Sequence, residues 1–455
     1  MYRTLYNIIL YLALPAIVLR LLFKSLALPA YRNRISERFG WSIGIVPVSE
    51  RSRQGEQSRQ DGQSRQDGQS GQDGQNKVFW IHAVSVGETV AAAPLVREIQ
   101  ARYSGCQVHI TTMTPTGSER VRQLFVDTVS HSYLPYDYPG AVKRFLEQLQ
   151  PDVFVLMETE LWPNLIHIAH QRGIRILLAN ARLSPRSARR YGMFKTATAN
   201  MMACIDVIAA QSEADAMRFQ QLGVAADRVQ VSGSLKFNVQ VEPVNIGADP
   251  VLTATQTSQR PVVVAASTRQ DEEVKVLAAF RKTLTSHPDC LLLLVPRHPQ
   301  RFTAVAELLA GQGFHFVRRS SGELPTAQTQ IVLGDSMGEM GAYIQLADIA
   351  FVGGSLVNTG CQNVLEPAAR GVPVVVGPSQ YNFAQICQEL EHCGALRTVA
   401  NAKELGQTLS ELLANPDQRQ HMGEAGRQLV ATNQGALPVL IQILDRLLQR
   451  KTHTF

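Results

Sequence analysis

Across its 455 residues the sequence has no Cys-x-x-Cys pair and no neighbouring His pair among its cysteines. The six cysteines, at 106, 204, 290, 361, 387 and 393, are scattered, so they read as reduced cytosolic thiols and not as disulfides or zinc ligands. No Asp-x-Asp pair or His cluster offers a divalent-metal site. Acidic residues are nearly missing from the first forty positions, where Glu37 alone stands against Arg3, Arg20, Lys24, Arg32, Arg34 and Arg38. That segment carries almost all of the formal charge of +6, so the remainder is close to neutral and no nucleic-acid-binding body is expected. A long unbroken apolar run is also missing. The sixteen residues from 4 to 19 are uncharged, where a full membrane span takes about 20.

What is present near the N-terminus still points to a membrane. Beyond Arg20 and Lys24 the apolar character continues to Leu28, so the helix either spans with its cations snorkelling or lies in the interface. The same two cations argue against a cleaved signal peptide ending at Ser25-Leu-Ala27. The basic cluster follows the apolar run, which by the positive-inside rule sets the catalytic body on the cytoplasmic face. Residues 1–40 are therefore expected to form a membrane-anchor helix and a basic juxtamembrane segment. Residues 51–76 hold a low-complexity insert whose unit, Gln-Ser-Arg-Gln-Asp-Gly, occupies 57–62 and 63–68 and recurs imperfectly to Gly74. Without core-forming side chains it reads as a disordered tether.

With 45% hydrophobic residues the rest of the chain can build two cores. Strand-like runs at 78–83, 107–112, 153–157, 174–179 and 207–210 alternate with helical patterns such as 91–102 and 139–150. A polar, Pro-containing linker at 241–260 precedes a second series at 262–267, 290–296, 331–334, 349–353 and 372–377. Alternation at this spacing implies βαβ units, and hence an α/β chain of two doubly wound, Rossmann-like domains, 77–240 and 261–455. Such domains present the carboxyl ends of their strands to a ligand cleft.

Residues 353–378, GGSLVNTGCQNVLEPAARGVPVVVGP, concentrate the ligand-binding signs. An apolar run ends in Gly353 and Gly354, where backbone can approach a ligand closely, and a helix is expected to open near Asn363 with amides and dipole favouring an anion. Glu366 falls in its first turn. Elsewhere, Ser85-x-x-Glu88 has the spacing of a capping box. Glu158 ends an apolar run with Glu160 close by, and Pro296-Arg297 ends another. Each has a bland reading: a cap at Glu88 and at Asn363-x-x-Glu366, a loop carboxylate at Glu158, a solvated lysine at Lys236, a surface ion pair at Arg297.

Six ordered stretches carry a more specific likeness. HAVSVGE (82–88), METELWPNL (157–165), SLKFN (234–238), VPRHPQRF (295–302), GDSMGEM (334–340) and the Gly-rich run all resemble the 3-deoxy-D-manno-octulosonic acid (Kdo) transferase family. The loop with Asn358, Thr359, Cys361 and Gln362 departs from a more Gly- and His-containing family pattern. The resemblance implies a glycosyltransferase-B architecture and inverting transfer of Kdo from CMP-Kdo to a lipid A precursor at the inner membrane, without a cofactor, and the lack of an Asp-x-Asp pair or His cluster makes that transfer expected to be metal-independent. It implies Glu88 as base and Glu158 and Lys236 as transition-state stabilisers. CMP contacts are implied at Pro296, Arg297, Met337, Gly338, Glu339, Asn363, Val364, Leu365 and Glu366. Two other readings keep the fold: a different nucleotide-sugar transferase or epimerase, and a non-catalytic membrane-tethered scaffold.

Overall fold

The computed structural model describes residues 2–27, 29–41, 77–239 and 244–449; the repeat insert lies outside them. The chain divides into two compact units. The first joins Met1–Asn238 to Gln434–Phe455, and the second is Val239–Asn433.

The first unit is built on seven parallel strands: β1 (Val78–His82), β2 (Gln107–Thr112), β3 (Ser130–Tyr133), β4 (Val153–Met157), β5 (Arg175–Ala181), β6 (Val207–Ala210) and β7 (Val229–Val231). Their order in the sheet is β3-β2-β1-β4-β5-β6-β7. The second unit repeats the plan with β8 (Val262–Thr268), β9 (Leu291–Pro296), β10 (Phe316–Arg318), β11 (Ile331–Leu333), β12 (Ile349–Val352), β13 (Val374–Val376) and β14 (Leu396–Thr398). Here the order is β10-β11-β9-β8-β12-β13-β14.

Each sheet is covered on both faces, which is why its central strands read as continuous apolar runs. Val78 and Trp80 join Phe154, Leu156, Ile176 and Leu178 in one core, while Phe79 and Ile81 join Val153, Val155, Leu177 and Ala179 in the other. The two-residue pleat assigns alternate side chains to opposite layers. Trp80 stacks on Phe154 at 3.6 Å between ring centroids, the cross-strand pair at the centre of the first layer. In the second unit Val263, Ala265, Leu292 and Leu294 face one layer and Val264, Ala266, Leu291 and Leu293 the other.

Two parts of the chain fold differently from the sequence expectation. The polar stretch 241–260 contains a helix, Pro250–Thr257, started by Asp249, whose side chain accepts the N–H groups of Val251 and Leu252. The last helix, Ala436–Gln449, belongs to the first unit, where Leu440, Ile443 and Leu444 pack in the layer of Phe79 and Ile81.

At the N-terminus two helices, Tyr2–Leu12 and Leu14–Ala27, replace the single expected one. Among the described residues no single helix is long and apolar enough to cross a membrane; this pair passes only together, bent by 48°. The pair is docked on the first unit. Tyr6 donates to Asp137 at 2.9 Å, and Asn164 donates through Nδ2 to Asn7 at 2.6 Å. The basic segment that follows is folded in as well. Arg38 is buried with its guanidinium 4.1 Å from the Tyr133 ring, and Glu37 accepts the N–H of Tyr133 while pairing with Arg34.

Candidate functional site

In the first unit the site residues gather at the carboxyl ends of β1, β4 and β5. β1 ends at His82, and helix Val86–Arg102 starts four residues later with Ser85 as its N-cap, accepting the Glu88 N–H at 3.4 Å. The Glu88 carboxylate does not close the usual capping box. Its Oε2 accepts the N–H of Val84 at 2.8 Å, and its Oε1 accepts the Ser85 hydroxyl at 3.0 Å. The cap spacing and the carboxylate at the end of β1 therefore coexist. Glu88 is only 9% exposed. Burial pushes its carboxyl up to about 7, helped by the negative charge of Glu158 and more weakly Glu160, against the pull of the two hydrogen bonds.

Glu158 follows β4 directly in a left-handed conformation, φ 57°, held by its own N–H donating to the Ala179 carbonyl at 3.0 Å. Its Oε1 lies 3.9 Å from Nζ of Lys236. Lys236 comes from a short 3-10 turn, Leu235–Phe237, placed by Asn180 at the end of β5, whose side-chain oxygen accepts the Leu235 N–H at 3.0 Å. The three residues implied by the resemblance are thus brought into one cluster. Glu160 joins it, its carboxyl also raised by burial and by Glu158.

Several neighbours were not singled out from sequence. His82 is fully buried, with Nδ1 at Thr111 and no hydrogen-bond partner for Nε2 among the described residues, and burial pushes it down to about 4. Its signal was its place as the first residue of the HAVSVGE run. Past β5, helix Pro185–Gly192 exposes Arg186, Arg189 and Arg190, and the next turn exposes Met193 at 71% and Phe194 at 67%. No acidic residue occurs from 182 to 205, and among the described residues none of these arginines enters an ion pair.

The second unit places its implied residues at the carboxyl ends of β9, β11 and β12. Pro296 is buried as the last residue of β9, and Arg297 is exposed beyond it, making no ion pair among the described residues. Met337 is exposed and Gly338 takes φ 86°. Glu339 is engaged: Oε1 accepts from Arg319 at 2.8 Å and Oε2 from Tyr343 at 2.9 Å, with the Ser336 hydroxyl also donating to Oε2. Asn363 accepts the Leu365 N–H at 3.1 Å, a local cap, while Val364 and Leu365 are buried. Glu366 is half-buried, with its carboxyl raised by burial and eased by Arg370.

The Gly-rich loop corrects two expectations. The helix after it, Leu365–Ala369, has five residues, too short for a substantial dipole. The amides of Gly354, Ser355 and Leu356 face a protein carboxylate: Glu272 accepts all three, at 2.6, 3.0 and 2.9 Å. Gly353 serves packing, since a Cβ there would lie 2.6 Å from the Ser267 carbonyl. The sequence showed the glycines but not the buried acid they accommodate.

Among the described residues no group of three or more His, Cys, Asp or Glu is arranged to hold a metal ion. Residues 34–239 match the family model described as 3-deoxy-D-manno-octulosonic-acid transferase (kdotransferase), and residues 262–429 match the glycosyl transferases group 1 model. A solved UDP-GlcNAc 2-epimerase from Neisseria meningitidis is 13% identical with a TM-score of 0.54, over 81% of this chain and 100% of that one, a likeness of fold alone and of the glycosyltransferase-B kind. The 3-deoxy-D-manno-octulosonic acid transferase of Bordetella pertussis is 38% identical, over 80% of this chain and 86% of its own length. That of Haemophilus influenzae is 40% identical, over 99% of this chain and the whole of its own. The chain belongs to the 3-deoxy-D-manno-octulosonic acid transferase family.

Proposed function

We propose that this enzyme transfers Kdo from CMP-Kdo to a hydroxyl of a lipid A precursor, in lipopolysaccharide core biosynthesis, by a single inverting displacement. The observation that carries the reading is the poised Glu88 carboxyl, near 7 and beside the Glu158 and Lys236 pair. A base of that affinity is half-deprotonated at neutral pH and can take the acceptor proton as the sugar oxygen attacks the anomeric carbon. The bond from that carbon to phosphate breaks, and CMP leaves with the electron pair. Positive charge at Lys236 and Arg297 suits the anionic groups of the donor, and Glu158 holds Lys236 in place. The donor contacts are assigned to Pro296 and Arg297, to Met337, Gly338 and Glu339, and to Asn363 through Glu366.

The acceptor is lipidic and anionic, which the exposed cations and the Met193-Phe194 tip after β5 suit. Attachment to the inner membrane, with the catalytic body on its cytoplasmic face, is assigned to the bent N-terminal pair. Leu5, Ile9, Leu12 and Phe23 are exposed there, with Arg20 and Lys24 able to reach headgroups.

The deciding experiment is Glu88→Gln in the full chain. Glutamine retains one acceptor oxygen for Val84 or Ser85, so at pH 5 the fold should hold to within about 1 kcal/mol. A neutral amide takes no proton, so turnover at pH 8 should fall at least ~100-fold while CMP affinity stays level. Retained turnover would remove Glu88 from the chemistry. Inhibition by UDP in preference to CMP would replace the donor.

A further inference from the structure

Arg269 follows β8, in the turn leading to helix Glu273–Ser286. That turn is strained and clamped. Ser267 and Asp271 both take left-handed backbone, φ 58° and 65°, and a bulge between Ala266 and Thr268 redirects the chain at the strand end. The buried Glu272 carboxylate accepts the Arg269 N–H at 3.1 Å as well as the three amides of the β12 loop. It therefore binds together the two loops that flank the point where strand order reverses, the place at which open α/β sheets take their ligands.

The side chain is held as well, and although the Glu272 charge is near enough to favour its protonated form, it makes no direct carboxylate pair among the described residues. Nη1 donates to Nε2 of His298 at 2.5 Å, and Nε is buried with no hydrogen-bond partner among the described residues. The register pairs Thr268 with Pro296, and the Arg297 N–H donates to the Thr268 carbonyl at 3.0 Å, so Arg269 and Arg297 emerge side by side. Arg301, further along, is satisfied by Glu273 at 2.9 Å. Among the described residues neither Arg269 nor Arg297 has a carboxylate ion pair. Burial and the mutual repulsion of these cations disfavour the protonated forms of both Arg269 and His298. Two adjacent guanidiniums aimed from the ends of neighbouring strands, one with an unused buried donor, call for an anion.

We infer that Arg269 binds an anionic group of the sugar-nucleotide donor, beside Arg297. The inference rests on the proposed donor, which carries two such groups, the phosphodiester and the sugar carboxylate. The test compares the full-length protein with Arg269→Gln and Arg269→Lys. The donor KM of Arg269→Gln should rise at least about tenfold, with Arg269→Lys recovering part of the loss and both variants melting near the parent. Inhibition separates the two anions. CMP weakened while cytidine binds unchanged assigns Arg269 to the phosphate. CMP unchanged with the donor KM raised assigns it to the carboxylate. An unchanged donor KM, or equal weakening of CMP and cytidine, would make Arg269 structural and overturn the inference. Failure of the parent to transfer Kdo would remove the proposed function, yet the comparison of CMP with cytidine by calorimetry would still decide the phosphate arm. A parent that binds no CMP overturns both.

Discussion

At Glu88 one side chain both holds the turn after β1, through the Val84 N–H and the Ser85 hydroxyl, and is a candidate base, and its environment makes the two roles separable by pH. A carboxyl near 7 gives kcat/KM an acid limb in that region, falling about tenfold per unit below it, where an ordinary surface glutamate would place the limb near 4.5. The same shift acts on stability. Below pH 4.5 the group is protonated whether folded or unfolded and adds nothing. Between 4.5 and about 7 the unfolded chain ionises first, so the folded state loses ground, by on the order of 3 kcal/mol once both are ionised. Glu88→Gln has no such proton. Its melting temperature should therefore gain on the parent between pH 5 and pH 8, and parallel melting curves across that range would mean that the carboxyl is not perturbed.

Among whole elements, what the sequence revealed and what it hid follow one physical division. The buried central strands were legible, several to the residue, because side chains on both faces are apolar, as in Val153–Met157 and Val207–Ala210. The four strands that escaped notice, Ser130–Tyr133, Val229–Val231, Phe316–Arg318 and Leu396–Thr398, are the four outer edges of the two sheets. They are three or four residues long, and partial exposure admits Ser, His, Gln and Arg. The site divides similarly. Glu158 and Arg297 drew notice because each follows an apolar run and Glu88 through its capping spacing, with their roles implied only by the family resemblance, whereas the partner of the Gly-rich amides was hidden, since nothing local links Glu272 to residues 354–356. Glu272→Gln tests that bracket. The amide keeps one accepting oxygen and turns an NH2 toward N–H donors, leaving buried amides unmet, so the unfolding free energy should drop by about 2–4 kcal/mol. Unchanged urea unfolding would mean that the loops hold their place without it.

For the molecule as a whole, the decisive feature is that its chain does not fold in sequence order: after the second unit it comes back, at Gln434, to complete the first. Helical periodicity at 436–449 announces an amphipathic element without saying which sheet it covers, and the structure assigns it to the layer of Phe79, Ile81, Val96 and Leu177. Leu440, Ile443, Leu444 and Leu447 are at most 2% exposed there. Asp445, on the outer side, accepts a two-pronged contact from Arg102 at 2.8 and 3.1 Å and the Tyr103 hydroxyl at 2.7 Å. Each buried aliphatic side chain contributes roughly 1.5–3 kcal/mol. Losing four or more of them approaches the ~5–15 kcal/mol that holds a typical domain folded. Ending the chain at Asn433 should therefore unfold the first unit and abolish transfer, although Glu88, Glu158 and Lys236 are all still present. The second unit, whose strands and helices lie within Val239–Asn433, should keep its fold and the CMP affinity proposed for it. Limited proteolysis followed by mass spectrometry distinguishes the outcomes, because a protected fragment beginning near residue 239 and a digested N-terminal half are expected. Equal protection of residues 77–238 in the shortened chain would show that the last helix is dispensable to the first core, and the same result with turnover lost would move its importance from folding to the site.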